Sequence, residues 1–153
     1  MANGPHILIV EARFYDDIAD ELFEGAKATL DAANATFERV QVPGVYEIPA
    51  AIEMGRKRKD KGGKSFDGFV ALGCVIRGET SHYDVVAGES GRALMDLTVE
   101  HRIAAGNGIL TTDKRAQAEV RAARTGKNKG RDAAAACLTM IDVQRKFGLA
   151  GGK

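Results

Sequence analysis

Two spacings organise the apolar positions of this chain. "HILIVEA" (6–12) is a compact apolar run, bounded by Gly4-Pro5 before it and by polar residues after it, and predicts a buried strand. From Tyr15 to about Ala33 the spacing changes: Ile18, Leu22, Ala26 and Leu30 recur every four residues, which predicts one face of a helix. "TFERVQV" (36–42) alternates Phe37, Val40 and Val42 imperfectly and predicts a second strand, broken by Pro43-Gly44. A helix starting near Glu47 carries Ile48, Ala51, Ile52 and Gly55, then dissolves into "RKRKDKGGK" (56–64), a solvated helix end and loop. No aromatic residue interleaves with that basic run, so it makes a poor nucleic-acid patch.

"FDGFVALGCVI" (66–76) predicts the third strand, and a long helix follows from about Ser81 to Ile103. Gly88 and Gly91 inside that helix each cost about 1 kcal/mol against Ala, and close helix packing is the expected compensation. "NGILTT" (107–112) predicts a fourth strand, "DKRAQAEVRAA" (113–123) a short helix, and "RDAAAACLTMIDVQRKF" (131–147) a last helix stopped by Gly148. Strands alternate with helices throughout. The expected architecture is therefore α/β in three layers: a four-stranded, mostly parallel sheet flanked by helices, as one domain over residues 1–153.

Composition narrows the function classes. The 153 residues are 44% hydrophobic and 28% charged, with a net charge of +1, so no overall field recruits nucleic acid or anionic membrane. The apolar runs are far shorter than the roughly 20 residues of a membrane span. The N-terminal segment has no basic residues ahead of its apolar run and reads as a strand, not a signal peptide. Cys74 and Cys137, the only cysteines, have no metal-type spacing and read as buried thiols of a cytoplasmic protein. His6 and His101 read as structural.

In parallel α/β sheets, ligands sit beyond the carboxyl ends of the strands, so residues 13–15, 43–47, 75–82 and 107–113 are the segments that matter. Phe14, after the first strand, can stack on a flat ring or pack under the next helix. After the second strand comes "VPGVYEIP", where the amides of Val45, Tyr46 and Glu47 open a helix. Those amides suit anionic or carbonyl oxygens, and Glu47 can accept from hydroxyls, although ordinary helix capping explains the same turn.

The third strand end, "GCVIRGETSHYD" (73–84), is the most informative. Gly78 is expected to permit a sharp turn. Glu79-Thr80-Ser81 then supply amides and hydroxyls at a helix N-terminus, a cradle suited to phosphate. His82 stands beside it, placed to shuttle protons, although a lone histidine near a helix start is as readily an ordinary surface residue. The fourth strand end, "GILTTD", offers hydroxyls and an N-cap. Beyond it, Arg121, Arg124, Lys127, Lys129 and Arg131 include candidates for a bidentate phosphate clamp.

"VPGVYEIP", "GCVIRGETSHYD", "GILTTD" and "NKGRDAA" occur in an order and spacing that resemble the 6,7-dimethyl-8-ribityllumazine synthases of riboflavin biosynthesis, over residues 5–148. The resemblance implies a flavodoxin-like sandwich that condenses 5-amino-6-(D-ribitylamino)uracil with 3,4-dihydroxy-2-butanone 4-phosphate. It implies neither metal nor organic cofactor. Carried over position by position, Phe14 stacks on the pyrimidine. Val45, Tyr46, Glu47 and Cys74, Val75, Ile76 bind ring and ribityl atoms, largely through backbone, with Glu47 and Lys129 on the ribityl chain. Glu79 and Thr80 bind the phosphate-bearing substrate, Arg121 clamps its phosphate, and His82 transfers protons. The family's site is shared between adjacent subunits, with Asn107 reaching across alongside Arg121.

The chain departs from the family pattern at three places. Tyr15 stands where Asn is usual, and Asn107 where an aromatic is common, which weakens one wall of the expected ring pocket. "ARTGK" replaces the "GTKAGN" associated with icosahedral members, so a homopentamer is expected over a sixty-subunit shell. Tyr15 and Asn107 keep open an alternative, a slow paralogue acting mainly as a flavin- or lumazine-binding protein. A flavodoxin-type electron carrier fits the topology, but "ARFYDD" is no Ser/Thr-rich flavin-phosphate loop. A receiver domain fails because the third strand ends without an aspartate.

Overall fold

The computed structural model describes residues 4–149. Four strands, β1 (His6–Ala12), β2 (Thr36–Val42), β3 (Gly68–Ile76) and β4 (Ala105–Thr112), form one sheet in the order β2-β1-β3-β4. Every neighbouring pair is parallel. Five helices connect and cover it: α1 (Asp16–Ala32), α2 (Ile48–Arg56), α3 (His82–His101), α4 (Arg115–Ala122) and α5 (Lys129–Lys146). A 3-10 turn at Val45–Glu47 leads into α2, whose first turn holds Pro49, where the missing N–H costs nothing.

The inner strands explain the unbroken apolar runs. β1 and β3 are covered on both faces, so both sets of alternating side chains are buried. On one face, Ile7, Ile9, Val70 and Leu72 pack against Ile18, Leu22 and Leu30 of α1 and Cys137 and Ile141 of α5. On the other, Leu8, Val10 and Phe69 pack against Ile48 and Ile52 of α2 and Val86 and Leu94 of α3. The result is the three-layer α/β sandwich. β2 and β4 form the edges and are correspondingly more exposed.

Two close approaches bring α5 onto the sheet and onto α1. A Cβ at Gly106 of β4 would collide with the Ala133 carbonyl, and one at Gly130 of α5 with the Leu22 carbonyl. Backbone meets backbone at both points, so no side-chain rearrangement can make room. Gly148 ends α5 in the left-handed region with φ +77°.

Three sequence expectations are corrected. Among the described residues, a Cβ at Gly88 or Gly91 would meet nothing within 4 Å, so no packing there compensates for either glycine in α3. Gly78 has no positive φ and equally open surroundings, so the turn there does not require glycine. β4 begins at Ala105, which makes Asn107 the third residue of the strand and places it away from the strand end. Cys74 and Cys137 are both buried and free, as the sequence suggested.

Candidate functional site

Parallel pairing puts the carboxyl ends Ala12, Val42, Ile76 and Thr112 on one side of the sheet, and the connecting loops gather there. Two adjoining clefts open among them. The first, of about 300 Å³, is lined by Phe14 and Tyr15 from the β1–α1 loop, Val45 from the 3-10 turn, Cys74, Val75 and Ile76 from β3, and His82 from α3. The second, of about 360 Å³, is lined by Val45, Tyr46, Glu47, His82 and Val85. Val45 and His82 belong to both, so the two clefts meet beside the imidazole.

Each wall has a local reason. Phe14 is 76% exposed and lies edge-on to Tyr15, with ring centroids 4.9 Å apart at 83°. An apolar ring that exposed presents a stacking face to a ligand. Gly44 leaves room for the Glu47 carboxylate, whose Oε1 would lie 3.2 Å from a Cβ at that position. Cys74 lies in buried β3, and loss of solvent pushes its thiol up to about 11, so at neutral pH it lines the cleft as a neutral group.

At the α3 N-terminus, the Thr80 hydroxyl accepts from the His82 backbone N–H at 3.2 Å. This closes a short turn just ahead of α3, whose N-cap is Ser81 and whose first residue is His82. Arg77, which the sequence analysis did not single out, fastens the same loop. It donates from Nε to Asp113 at 3.0 Å and from Nη1 to Asp84 at 3.2 Å, and lies 4.2 Å from the Tyr83 ring centroid. Asp113 is therefore engaged by Arg77, and the start of α4 is capped instead by Gln117, whose Oε1 accepts from the Asp113 and Lys114 amides at 3.0 Å. Three polar residues around a Gly in one loop were the available signal for Arg77, but its partners lie on two other elements.

Among the sequence-derived candidates, Phe14, Val45, Tyr46, Glu47, Cys74, Val75, Ile76 and His82 come together in the two clefts. Glu79 and Thr80 are in the loop immediately before His82. Arg121 and Lys129 are not among the residues lining either cleft. Arg121, in the last turn of α4, donates to the Gln117 carbonyl at 3.0 Å, and Lys129 opens α5 with its Nζ 3.6 Å from Asp132. Asn107 lines a different groove of about 250 Å³, with Gly91, Met95, Thr98 and Met140, and its Oδ1 accepts from the Ile109 amide at 2.9 Å.

Clefts at the carboxyl ends of a parallel sheet, with an exposed aromatic ring and a helix N-terminus beside one histidine, are where α/β proteins commonly bind small molecules. The two here have the parts for acid–base chemistry on a flat, polar substrate. The 6,7-dimethyl-8-ribityllumazine synthase family model matches residues 4–145, and the chain belongs to that family. It is 60% identical over 143 residues to 6,7-dimethyl-8-ribityllumazine synthase 1 of Rhizobium meliloti (strain 1021), covering 94% of each chain. It is 57% identical over 146 residues to 6,7-dimethyl-8-ribityllumazine synthase of Agrobacterium fabrum, covering 95% of this chain and 99% of the relative. A Bartonella tribocorum protein of the same name is 53% identical over 148 residues, with 97% and 95% covered.

Proposed function

We propose that this chain is a transferase of riboflavin biosynthesis that condenses 5-amino-6-(D-ribitylamino)uracil with 3,4-dihydroxy-2-butanone 4-phosphate to give 6,7-dimethyl-8-ribityllumazine. Family membership supports the reaction. The observation that carries it to particular residues is the meeting of the two clefts at His82, with an aromatic face in one and Glu47 in the other.

In this reading the pyrimidine stacks on Phe14, while Val45, Tyr46, Cys74, Val75 and Ile76 hold its ring and ribityl atoms. Glu47 and Lys129 bind ribityl hydroxyls. Glu79, Thr80 and the α3 N-terminus receive the phosphate-bearing substrate, and Arg121 clamps its phosphate. The 5-amino group attacks the ketone and loses water to form an imine. Proton loss and departure of inorganic phosphate give an enol, which tautomerises to a ketone. The ribitylamino nitrogen then closes the ring with loss of a second water. His82 moves protons in these steps, and most of the acceleration comes from holding the two reactants together.

The working unit is a cytoplasmic homopentamer of one-domain subunits. Two features support association. The exposed face of α3 carries Val85, Gly88, Met95 and Val99 without a cover among the described residues, and Arg121, Lys129 and Asn107 lie off the clefts, as residues serving a neighbour's site would.

Steady-state kinetics with each substrate varied separately test the assignment. Phe14→Ala raises KM for the pyrimidine, and Arg121→Ala raises KM for the phosphate substrate. Effects that exchange substrates, or that fall on both equally, would contradict it.

A further inference from the structure

Arg13 is the first residue after β1, and its guanidinium reaches in two directions. Nη1 donates to Glu11 Oε1 at 3.0 Å, while Nη2 pairs with Asp20 in α1. Glu11 is only 3% exposed, on the α1 side of the sheet. A carboxylate that deeply buried must be paired to be tolerated. Arg39 of β2 supplies the other half of the pairing, with Nε 2.7 Å from Oε2 and Nη2 3.0 Å from Oε1. Arg39 is itself backed by the Phe23 ring, its guanidinium carbon 3.4 Å from the centroid. Arg13 thus hangs from a group that cannot move and ties the end of β1 to α1 across the loop.

The other end of the same loop is fastened separately. Tyr15 packs against the α1-side core and lies 5.4 Å from the Arg115 guanidinium, which donates to Asp17 at 2.5 and 2.6 Å. Between the two fastenings stands Phe14, exposed and edge-on to Tyr15. Its backbone is thus held on both sides, by Arg13 before it and by Tyr15 after it.

We infer that Arg13 is a positioning residue: suspended from buried Glu11 and tied to Asp20, it holds Phe14 in the orientation that receives the pyrimidine ring. The inference rests on the stacking role proposed for Phe14. It assigns purpose to a buried charge cluster that core packing does not require, because an apolar residue at position 11 would fill the same strand site without needing partners.

The test is a double-mutant cycle on the full chain, with KM for each substrate, kcat and melting temperature measured for Arg13→Ala, Arg13→Lys, Phe14→Ala and the Arg13→Ala/Phe14→Ala pair. Arg13→Ala is expected to raise KM for the pyrimidine about five- to tenfold, the scale of one side chain that must be ordered on binding. KM for the phosphate substrate and kcat stay within about twofold. Arg13→Lys recovers part of the loss, since one ammonium reaches Glu11 or Asp20 but does not reproduce the fork. In the Phe14→Ala background, Arg13→Ala adds nothing. Additive effects, or equal losses for both substrates, overturn the inference. A raised pyrimidine KM in Phe14→Ala with an unchanged one in Arg13→Ala overturns it alone, whereas an unchanged KM in Phe14→Ala overturns the stacking role and this inference with it. If Arg13→Ala does not fold, Asp20→Asn removes the exposed partner; it is expected to raise the pyrimidine KM by a smaller factor, and no change overturns the inference.

Discussion

Arg77 and Asp113 join across the gap between the third and fourth strand ends, Nε to Oδ1 at 3.0 Å, 36 residues apart in the chain. The same guanidinium reaches Asp84 in the first turn of α3, so one side chain fastens the loop that carries Glu79 and Thr80 to two neighbouring elements. The backbone follows suit, with the Arg77 amide donating to the Thr112 carbonyl at 2.8 Å.

Removing that fastening should loosen the loop without unfolding the sheet. Arg77→Ala is expected to speed amide hydrogen exchange at residues 78–81 and raise KM for the phosphate substrate by at most about fivefold, the ceiling for exposed ion pairs. Exchange at those amides identical to the parent protein would show that Arg77 does not restrain the loop.

Gly130 should not tolerate even a methyl group. Its neighbour is the Leu22 carbonyl, a backbone atom of α1, so Gly130→Ala pushes α5 away and is expected to cost about 1–3 kcal/mol in chemical denaturation. Unchanged stability would contradict the close crossing of α1 and α5.

Gly88 reports on association. In the isolated chain a methyl there meets open space, and Gly88→Ala should stabilise α3 by up to about 1 kcal/mol. Where a second copy covers that face, the same change weakens the assembly. Sedimentation of Gly88→Ala beside the parent protein separates the two, and unaltered association would remove Gly88 from the proposed interface.

These glycines also show where sequence and fold part company. β1 was legible to the residue because Pro5 and Arg13 punctuate an apolar run, and α1 because Ile18, Leu22, Ala26 and Leu30 keep helical spacing. The start of β4 was not, since Ala105 and Gly106 carry no apolar signal, and Gly106 is small only because α5 lies on it. At the site, contiguous motifs such as "GCVIRGETSHYD" exposed the cleft residues. The ion pairs that hold them did not show, because Glu11 meets Arg39 28 residues away and reads along the chain as the polar end of a strand.

Acid should release a second network, around Glu38, the residue before Arg39 in β2. The Arg58 guanidinium, 2.8 Å away, and the His6 imidazole hold the Glu38 carboxyl below its ordinary value of 4.5. A lowered carboxylate stabilises the fold above its unfolded value and loses that contribution as pH falls through its folded value. The stability difference between the parent protein and Glu38→Gln should therefore be fully present above about pH 4.5 and shrink below it. A difference that persists undiminished to pH 2 would place the effect in packing.

Both thiols should be silent in the native protein. Burial raises Cys74 to about 11 and Cys137 to about 12, so iodoacetamide at neutral pH should modify neither until the chain is denatured, when both react. Rapid native labelling of Cys74 would mean that its cleft holds a thiolate.

The most direct measurement mixes the purified chain with the ribitylaminopyrimidine and the dihydroxybutanone phosphate and follows lumazine fluorescence, for the parent protein and for His82→Ala. The account predicts a parent rate well above the spontaneous condensation. His82→Ala should be slower by about 10²–10⁴-fold, as for other acid–base groups, yet still faster than the uncatalysed reaction because both reactants remain bound. Product formed by the folded parent protein at only the spontaneous rate would contradict the proposed activity, and complete loss in a folded His82→Ala would contradict the dominance of proximity.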